Sequence, residues 1–334
     1  MSSIRDVARL AGVSHQTVSR VINEHPSVRE GTRQRVLDAI AQLDYRPNVA
    51  ARALVTNSLN LIGVLSATTG EFGATSSLTA IEEAARAAGY SVTTLNLPDV
   101  SADSIHAAVR QLQNERVDGL IALAPQARVS HVLAGMRADI PIVTLQTASG
   151  ATAETLSADQ VAGARLATEH LISLGHRDVV HLAGPQDWVE AESRMQGYLD
   201  AMLDADISPF PPVRGDWTAD FGHTAGVELA HRGDMTAVFV ANDVMAIGLI
   251  HGFRDMGLEV PRDVSVVSFD DIPVAAHVTP ALTTVHQDFQ ALGRRALLLL
   301  LAEIRGETPP VLEPAHPRLI VRDSTATPHT VTQP

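Results

Sequence analysis

His15, Gln16 and Arg20 carry the groups that read base edges in duplex DNA: a glutamine amide pairs with adenine and a guanidinium with guanine, each through two hydrogen bonds. They follow Ala11-Gly12-Val13-Ser14, a short glycine-containing turn between two apolar-periodic stretches. That is the spacing of a helix-turn-helix, whose second helix lies in the major groove. A three-helix bundle that binds protein, with the same polar residues solvated, is the competing interpretation. A second polar group follows apolar runs further along the chain. Arg194 stands in WVEAESRMQGY behind Leu182-Ala183, Asn242 and Asp243 follow Val240-Ala241, and Asp270 and Asp271 follow Ser268-Phe269. A guanidinium fork donates to adjacent hydroxyls and a carboxylate accepts from two, so Arg194 and Asp270 suit a polyhydroxylated ligand. Trp217 and Phe289 can stack on the apolar face of a sugar ring, Gln287 adds an amide, and Trp188 is a further aromatic. Each has a plainer alternative. Arg194 would lie on a solvated helix face, Asn242 or Asp243 would cap a helix starting at Val244, Asp271 would sit in a solvated turn, and Trp217 and Phe289 would belong to the core.

The elements that must position these residues follow from local pattern. Residues 1–57 read as helices with no strand-like run. Ser3, with Asp6 three residues on, forms a capping box for a first helix whose apolar face holds Val7, Ala8, Leu10 and Ala11. Gly12 stops it, and Ser14 caps a second helix over 15–23. In a third, Val36, Ala39, Ile40 and Leu43 repeat at helical spacing, and Pro47 bounds it. From Asn57 the texture changes. Short apolar strands are predicted at 61–66, 91–95, 119–124, 140–145, 179–183, 237–241 and 264–269. Helices are predicted between them, at 77–88, 103–115, 160–174, 190–205, 218–231 and 244–256. Such alternation means βαβ units and mainly parallel sheets with helices on both faces. So many units exceed one core, so the prediction is an all-α headpiece followed by an α/β core of two doubly wound parallel-sheet lobes. The tail, 325–334, reads as disordered.

Composition narrows the function classes. The 334-residue chain is 45% apolar and 19% charged, as ordinary globular proteins are. Its net charge of −13 is unevenly spread: residues 1–57 hold eight Arg against five acids, while the remainder holds 17 Arg against 33 acids. A basic end on an acidic body is the asymmetry of a nucleic-acid-binding segment. Cysteine is absent, which removes disulfides, thiolate metal sites and cysteine nucleophiles. No GxSxG, GxxxxGK[ST], HExxH or GxGxxG pattern occurs, so no enzymatic activity is expected. The 14 His are scattered, His170, His176 and His181 are expected at the surface or as caps, and neither metal nor cofactor is expected. The N-terminus lacks the pattern of a secretory signal, and the longest apolar run, 296–302, is too short to span a bilayer. A cytoplasmic location is therefore expected.

The stretch IRDVARLAGVSHQTVSRVINEHPSVREGTRQRVLDAIAQLDYRPNVAARAL closely resembles the headpiece of the LacI/GalR family of transcriptional regulators, with AGVSxxTVSRVIN its most specific part. The likeness runs past residue 320. It implies that His15, Gln16 and Arg20 read bases while Ser14, Thr17, Asn23, Thr32, Tyr45 and Asn48 hold phosphates or set the register. The segment from Pro47 to Leu54 resembles the family's hinge helix, which orders on the operator. There Leu54 and its mate in a dimer would wedge into the minor groove and bend the duplex. Eight residues are too few for a stable lone helix, so the segment is expected to be a linker when free. The resemblance divides the chain into a headpiece (1–46), a hinge (47–57) and a periplasmic-binding-protein-like core (58–324). Lobe 1 would hold 58–158 and 289–313, and lobe 2 would hold 159–286 and 314–324. Between the lobes Arg194, Asn242 and Asp270 would contact an effector while Asp243 caps, with Trp217, Gln287 and Phe289 beside them. Lobe 1 departs from the family's lactose-binding pattern, with Gln146 in place of an Asp and Leu123 in place of an Asn; Gln146 is taken as a further contact. A repressor of carbohydrate-utilisation genes is thus expected, released by a different sugar. No leucine-rich helix follows Asp323, which implies a homodimer on a near-palindromic operator. Two alternatives stand beside it. A purine or phosphorylated-metabolite effector is opposed, for the purine, by an aromatic content of only 4%. A solute-binding protein of a sugar transporter is opposed by the headpiece.

Overall fold

The computed structural model describes residues 3–22, 27–45, 58–67, 71–145, 155–156, 159–312 and 316–328, and the chain divides into two compact units that meet between Leu59 and Asn60. In the first unit, Ser3 and Asp6 form the expected capping box on α1 (Ile4–Ala11), and Gly12 ends it at φ 64°, a left-handed conformation that costs glycine nothing. Ser14 starts α2 (His15–Ile22): its Oγ accepts a hydrogen bond from the Thr17 amide at 3.1 Å. With α3 (Glu30–Gln42) these helices enclose a core of Val7, Ala8, Ala11, Val18, Val21, Val36 and Ala39. Ser14→Ala removes the cap and should destabilise the headpiece by about 1 kcal/mol, read as a lower melting temperature of its helical signal.

The second unit contains two sheets. In lobe 1 the order is β2-β1-β3-β4-β5, all parallel, formed by β1 (Leu61–Ser66), β2 (Ser91–Asn96), β3 (Gly119–Leu123), β4 (Ile142–Leu145) and β5 (Thr155–Leu156). Helices α4 (Phe72–Ala87), α5 (Ala102–Asn114) and α6 (Ala127–Gly135) connect them. Lobe 2 interleaves β6 (Val179–Ala183), β7 (Val213–Arg214), β8 (Ala237–Val240), β9 (Ser265–Asp270), β10 (Thr283–His286) and β11 (Arg318–Ile320) with α7 (Gln160–Ser173), α8 (Val189–Asp204), α9 (Ala219–Arg232) and α10 (Asp243–Asp255). Its sheet order is β11-β10-β9-β8-β6-β7, and only the β10–β11 pair is antiparallel. Helix α11 (Phe289–Arg305) returns to lobe 1. Its Ala296, Leu297 and Leu300 pack with Ile81 of α4 and Ile121 of β3. The 296–302 leucine run therefore covers a sheet, and no described helix is long and apolar enough to cross a membrane.

Three expectations need correction. Helix α4 begins at Phe72, well before residue 77, because Gly73 lets the chain pass under the Phe289 ring; a Cβ there would lie 2.6 Å from that ring. His176 and His181 are core residues, 1% and 0% exposed. His181 stacks on Phe239 at 4.5 Å, and burial pushes its pKa down to about 3, so it stays neutral. The disordered tail cannot begin at residue 325. Ala326 bonds Ser265 Oγ in both directions (2.9 and 3.0 Å) and accepts from His176 Nε2 at 2.8 Å, while Thr325 meets His170. The polar histidines give these chain-end carbonyls and hydroxyls buried partners, a pairing without periodicity.

Candidate functional site

Helix α2 buries Val18 and Val21 and exposes His15, Gln16 and Arg20, so the three base-reading candidates share a solvent face one helical turn long. Thr17 is half-buried and bonds Ser14 Oγ at 2.9 Å. Thr32 lies at the start of α3, where its amide donates to Arg29 O at 2.9 Å, and Tyr45 packs against the headpiece core. Asn23, Asn48, Leu54 and Gln146, and with them the hinge at 47–57, lie outside the described residues.

Between the lobes lies a cavity of about 460 Å³. Lobe 1 gives it an apolar wall that includes Phe72, Leu123, Leu145 and Phe289; lobe 2 gives Arg194, Asp216, Trp217, Asn242 and Asp270. At one edge the lobes are tied by backbone: Ala127 N donates to Asp187 O at 3.1 Å and Val189 N to Pro125 O at 3.0 Å. This tie holds Trp188 edge-to-face against Trp217, with ring centres 5.5 Å apart. Trp217 has φ 72° and Asp270 φ 106°, backbone conformations that side-chain-bearing residues rarely adopt and that concentrate at ligand sites. Asn242 Nδ2 donates to Trp217 O at 3.3 Å, and the indole lies where a Cβ on Gly184 would be 2.2 Å from it.

Arg194 is 2% exposed, so it does not lie on a solvated face. Its Nε donates to Gln160 Oε1 at 2.7 Å, Nη1 to Ala241 O, and Nη2 pairs with Asp270 Oδ1 at 3.2 Å, while the guanidinium lies 4.0 Å over the Phe269 ring. Gln160 Nε2 donates to Gln287 Oε1, and Gln287 Nε2 to Asp270 Oδ1 at 2.8 Å. Arg194, Gln160, Gln287 and Asp270 thus close a ring. Gln287 does not line the cavity; it holds Asp270 from behind. Gln160 was not anticipated as a site residue, because in sequence it reads only as the first residue of a helix. Phe72 and Glu71 were likewise missed, since they precede the predicted helix start. The carboxyl of Asp270 is pushed up by burial, and Arg194 and Gln287 oppose that shift.

The cap expected of Asp243 is made by its neighbour. Asn242 caps α10, its Oδ1 accepting from Met245 N at 2.8 Å, although it also lines the cavity. Asp243 is fully buried and accepts from Ser268 Oγ, from Thr284 Oγ1 at 2.7 Å and from Ile272 N at 2.8 Å, which ties α10 to the ends of β9 and β10. Asp271 is not in a solvated turn: Arg322 meets it at 2.6 Å and His286 at 3.0 Å. Burial, reinforced by the neighbouring Asp270, raises the Asp243 pKa to about 7. A raised carboxyl pKa stabilises the fold fully below about 4, and that contribution is lost as pH rises through about 7. The stability of the parent relative to Asp243→Asn should therefore grow as pH falls from about 7 to about 4. Urea unfolding across that range checks it, and a flat difference would show an ordinary carboxylate.

Residues 3–48 match the model of bacterial regulatory proteins of the lacI family, and residues 168–325 that of a periplasmic binding protein-like domain. The chain is 36% identical over 335 residues to the HTH-type transcriptional repressor PurR of Proteus mirabilis (strain HI4320), covering 98% of this chain and 97% of that protein. The chain belongs to the LacI family. Among solved structures, the Lac repressor dimer bound to operator and the anti-inducer ONPF superposes with a TM-score of 0.88 at 33% identity, covering 97% of this chain and 99% of that one. A complex of the transcriptional regulator CelR with cellobiose gives 0.70 at 31% identity, covering 97% and 100%. This LacI-family chain is thus a ligand-responsive DNA-binding repressor, with a helix-turn-helix for the operator and a two-lobed core for a small molecule.

Proposed function

We propose that this LacI-family repressor controls carbohydrate-utilisation genes, binds a near-palindromic operator as a homodimer, and is released by a sugar held between the two lobes. The observation that carries the proposal is the Arg194–Asp270 pair beside Trp217: a donor fork, an acceptor and an aromatic face in one cavity. Both ring bonds to Asp270 use Oδ1, so its other oxygen is the acceptor offered to a hydroxyl. Supporting relatives are the CelR complex, whose ligand is cellobiose, and the Lac repressor, which binds operator as a dimer.

Charge argues against a phosphorylated effector. The carboxylates of Glu71, Glu190, Asp216 and Asp270 line the cavity with Arg194 as their cation. Low overall aromatic content is no argument against a purine, because both tryptophans and two phenylalanines gather in this cavity. Their geometry is the better argument: Phe72 meets Phe289 at 78° and Trp188 meets Trp217 at 65°, which makes corners rather than parallel plates for a flat base. An effector that bridges the lobes biases the core toward one lobe arrangement, and a differential affinity worth about 1–3 kcal/mol changes operator binding roughly 5- to 150-fold.

Thermal shift of the full chain with monosaccharides, disaccharides, purines and sugar phosphates tests the effector class. A sugar should raise the melting temperature of the parent but not of Asp270→Ala; a shift only with purines or phosphates refutes it. For the hinge, Leu54→Ala should weaken operator binding and reduce DNA bending in a gel-shift phasing assay; unchanged bending removes the wedge.

A further inference from the structure

Helices α9 and α10 pack through glycines. A Cβ on Gly222 would lie 2.1 Å from Met245 O, on Gly226 2.5 Å from Leu249 O, on Gly248 1.9 Å from Ala219 O, and on Gly252 2.3 Å from His223 O. Backbone meets backbone at four points, so the spacing and register of the two helices are set without any adjustable side chain. Along this seam His223 of α9 faces His251 and Asp255, one turn apart on α10. Their ligand atoms all lie within 4.8 Å of one another: His223 Nε2 is 2.9 Å from Asp255 Oδ2 and His251 Nε2 is 3.6 Å from Asp255 Oδ1. The imidazole rings are 4.8 Å apart at 61°.

We propose that His223, His251 and Asp255 form a site for one divalent transition-metal ion of the zinc class, which bridges α9 to α10. Two imidazoles and a carboxylate favour Zn²⁺, Ni²⁺ or Cu²⁺ over Mg²⁺ or Ca²⁺, which take all-oxygen sets. Tetrahedral coordination with bonds of about 2.0–2.1 Å separates ligand atoms by roughly 3.3 Å, inside the 4.8 Å within which one ligand atom of each of the three residues lies. Three protein ligands leave a fourth position for water. Neighbouring Arg254 acts on Asp255 electrostatically and works against a cation. His223 and Asp255 are 32 residues apart, which is why the spacing of the histidines in sequence conceals the set. His251 lies roughly 13 Å along α10 from Asn242, and none of the three residues lines the effector cavity.

The test is isothermal titration of zinc chloride into the untagged full-length chain after chelator treatment. One equivalent per chain is expected, with a rise in melting temperature, and affinity should fall roughly tenfold or more in His251→Gln and in Asp255→Asn. Exposed His131→Gln should bind as the parent does. Cobalt(II) in place of zinc should give a tetrahedral visible spectrum that both variants lose. Uptake that survives His223→Gln and His251→Gln together, absence of uptake by the parent, or equal uptake of magnesium would each overturn the assignment. All three side chains are at least partly exposed, and metal-free melting of each variant establishes that it folds.

Discussion

Arg194→Leu should lower the stability of the core by about 3–5 kcal/mol in urea unfolding at pH 7 and remove the melting-temperature response to effector. Arg194 is 2% exposed, and its head group has partners on three sides: Gln160, Ala241 O and Asp270. Leucine fills much of the space but leaves the Asp270 carboxylate without its countercharge, and leaves Gln160 and Ala241 O short of a donor. The burial that already raises the Asp270 carboxyl then acts unopposed by Arg194, so Asp270 takes up a proton more readily. Two consequences distinguish this account from simple loss of packing. The destabilisation should shrink at pH 5, where Asp270 is more easily protonated, and Asp270→Asn added to Arg194→Leu should recover part of it. A loss that is equal at both pH values and unrelieved by the second substitution would mean that the ring carries no electrostatic coupling.

Gly248→Ala should destabilise the core by about 3 kcal/mol or more. The new methyl would sit 1.9 Å from Ala219 O and 2.9 Å from His223 N, and backbone atoms cannot swing aside as a side chain does. Helix α9 must move away from α10, and the movement reaches the cavity because Trp217 and Thr218 lie just before α9. Gly135→Ala is the matched control. It ends α6, a Cβ there meets nothing within 4 Å, and alanine should gain up to about 1 kcal/mol by helix propensity. Melting of both variants side by side checks the pair; equal small effects would mean that the α9–α10 seam yields.

Most parallel strands were legible because each is a short apolar run bounded by turns, from Leu61–Ser66 to Val179–Ala183. The strands passed over are Thr155–Leu156, Val213–Arg214 and Arg318–Ile320, which hold two or three residues, and Thr283–His286, which is largely polar and so shows no apolar run. They form because neighbouring strands offer unpaired backbone groups, a property of the assembled sheet. Site residues divide in the same way. Arg194 and Asp270 are singled out by sequence because they stand at or behind strand ends, where ligands of open α/β sheets bind. Gln160 is not singled out, and the contact of Gln287 with Asp270 is not foreseen, because their places in the ring depend on chain crossings.

The sequence by itself determined the headpiece: a capping box, a glycine stop, a serine cap and three helical periods lie within 45 residues, and each is a contact between residues a few positions apart. It also determined the class of the core, since the alternation of short apolar runs with amphipathic helices leaves few other arrangements. Only the tertiary structure decided which polar groups hold the cavity's Arg194 and Asp270 from behind. Arg194 meets Gln160 across 34 positions and Gln160 meets Gln287 across 127, so sequence spacing carries no trace of the ring. The physical reason is that a buried polar group must find a partner wherever the fold supplies one, and the fold supplies it through space.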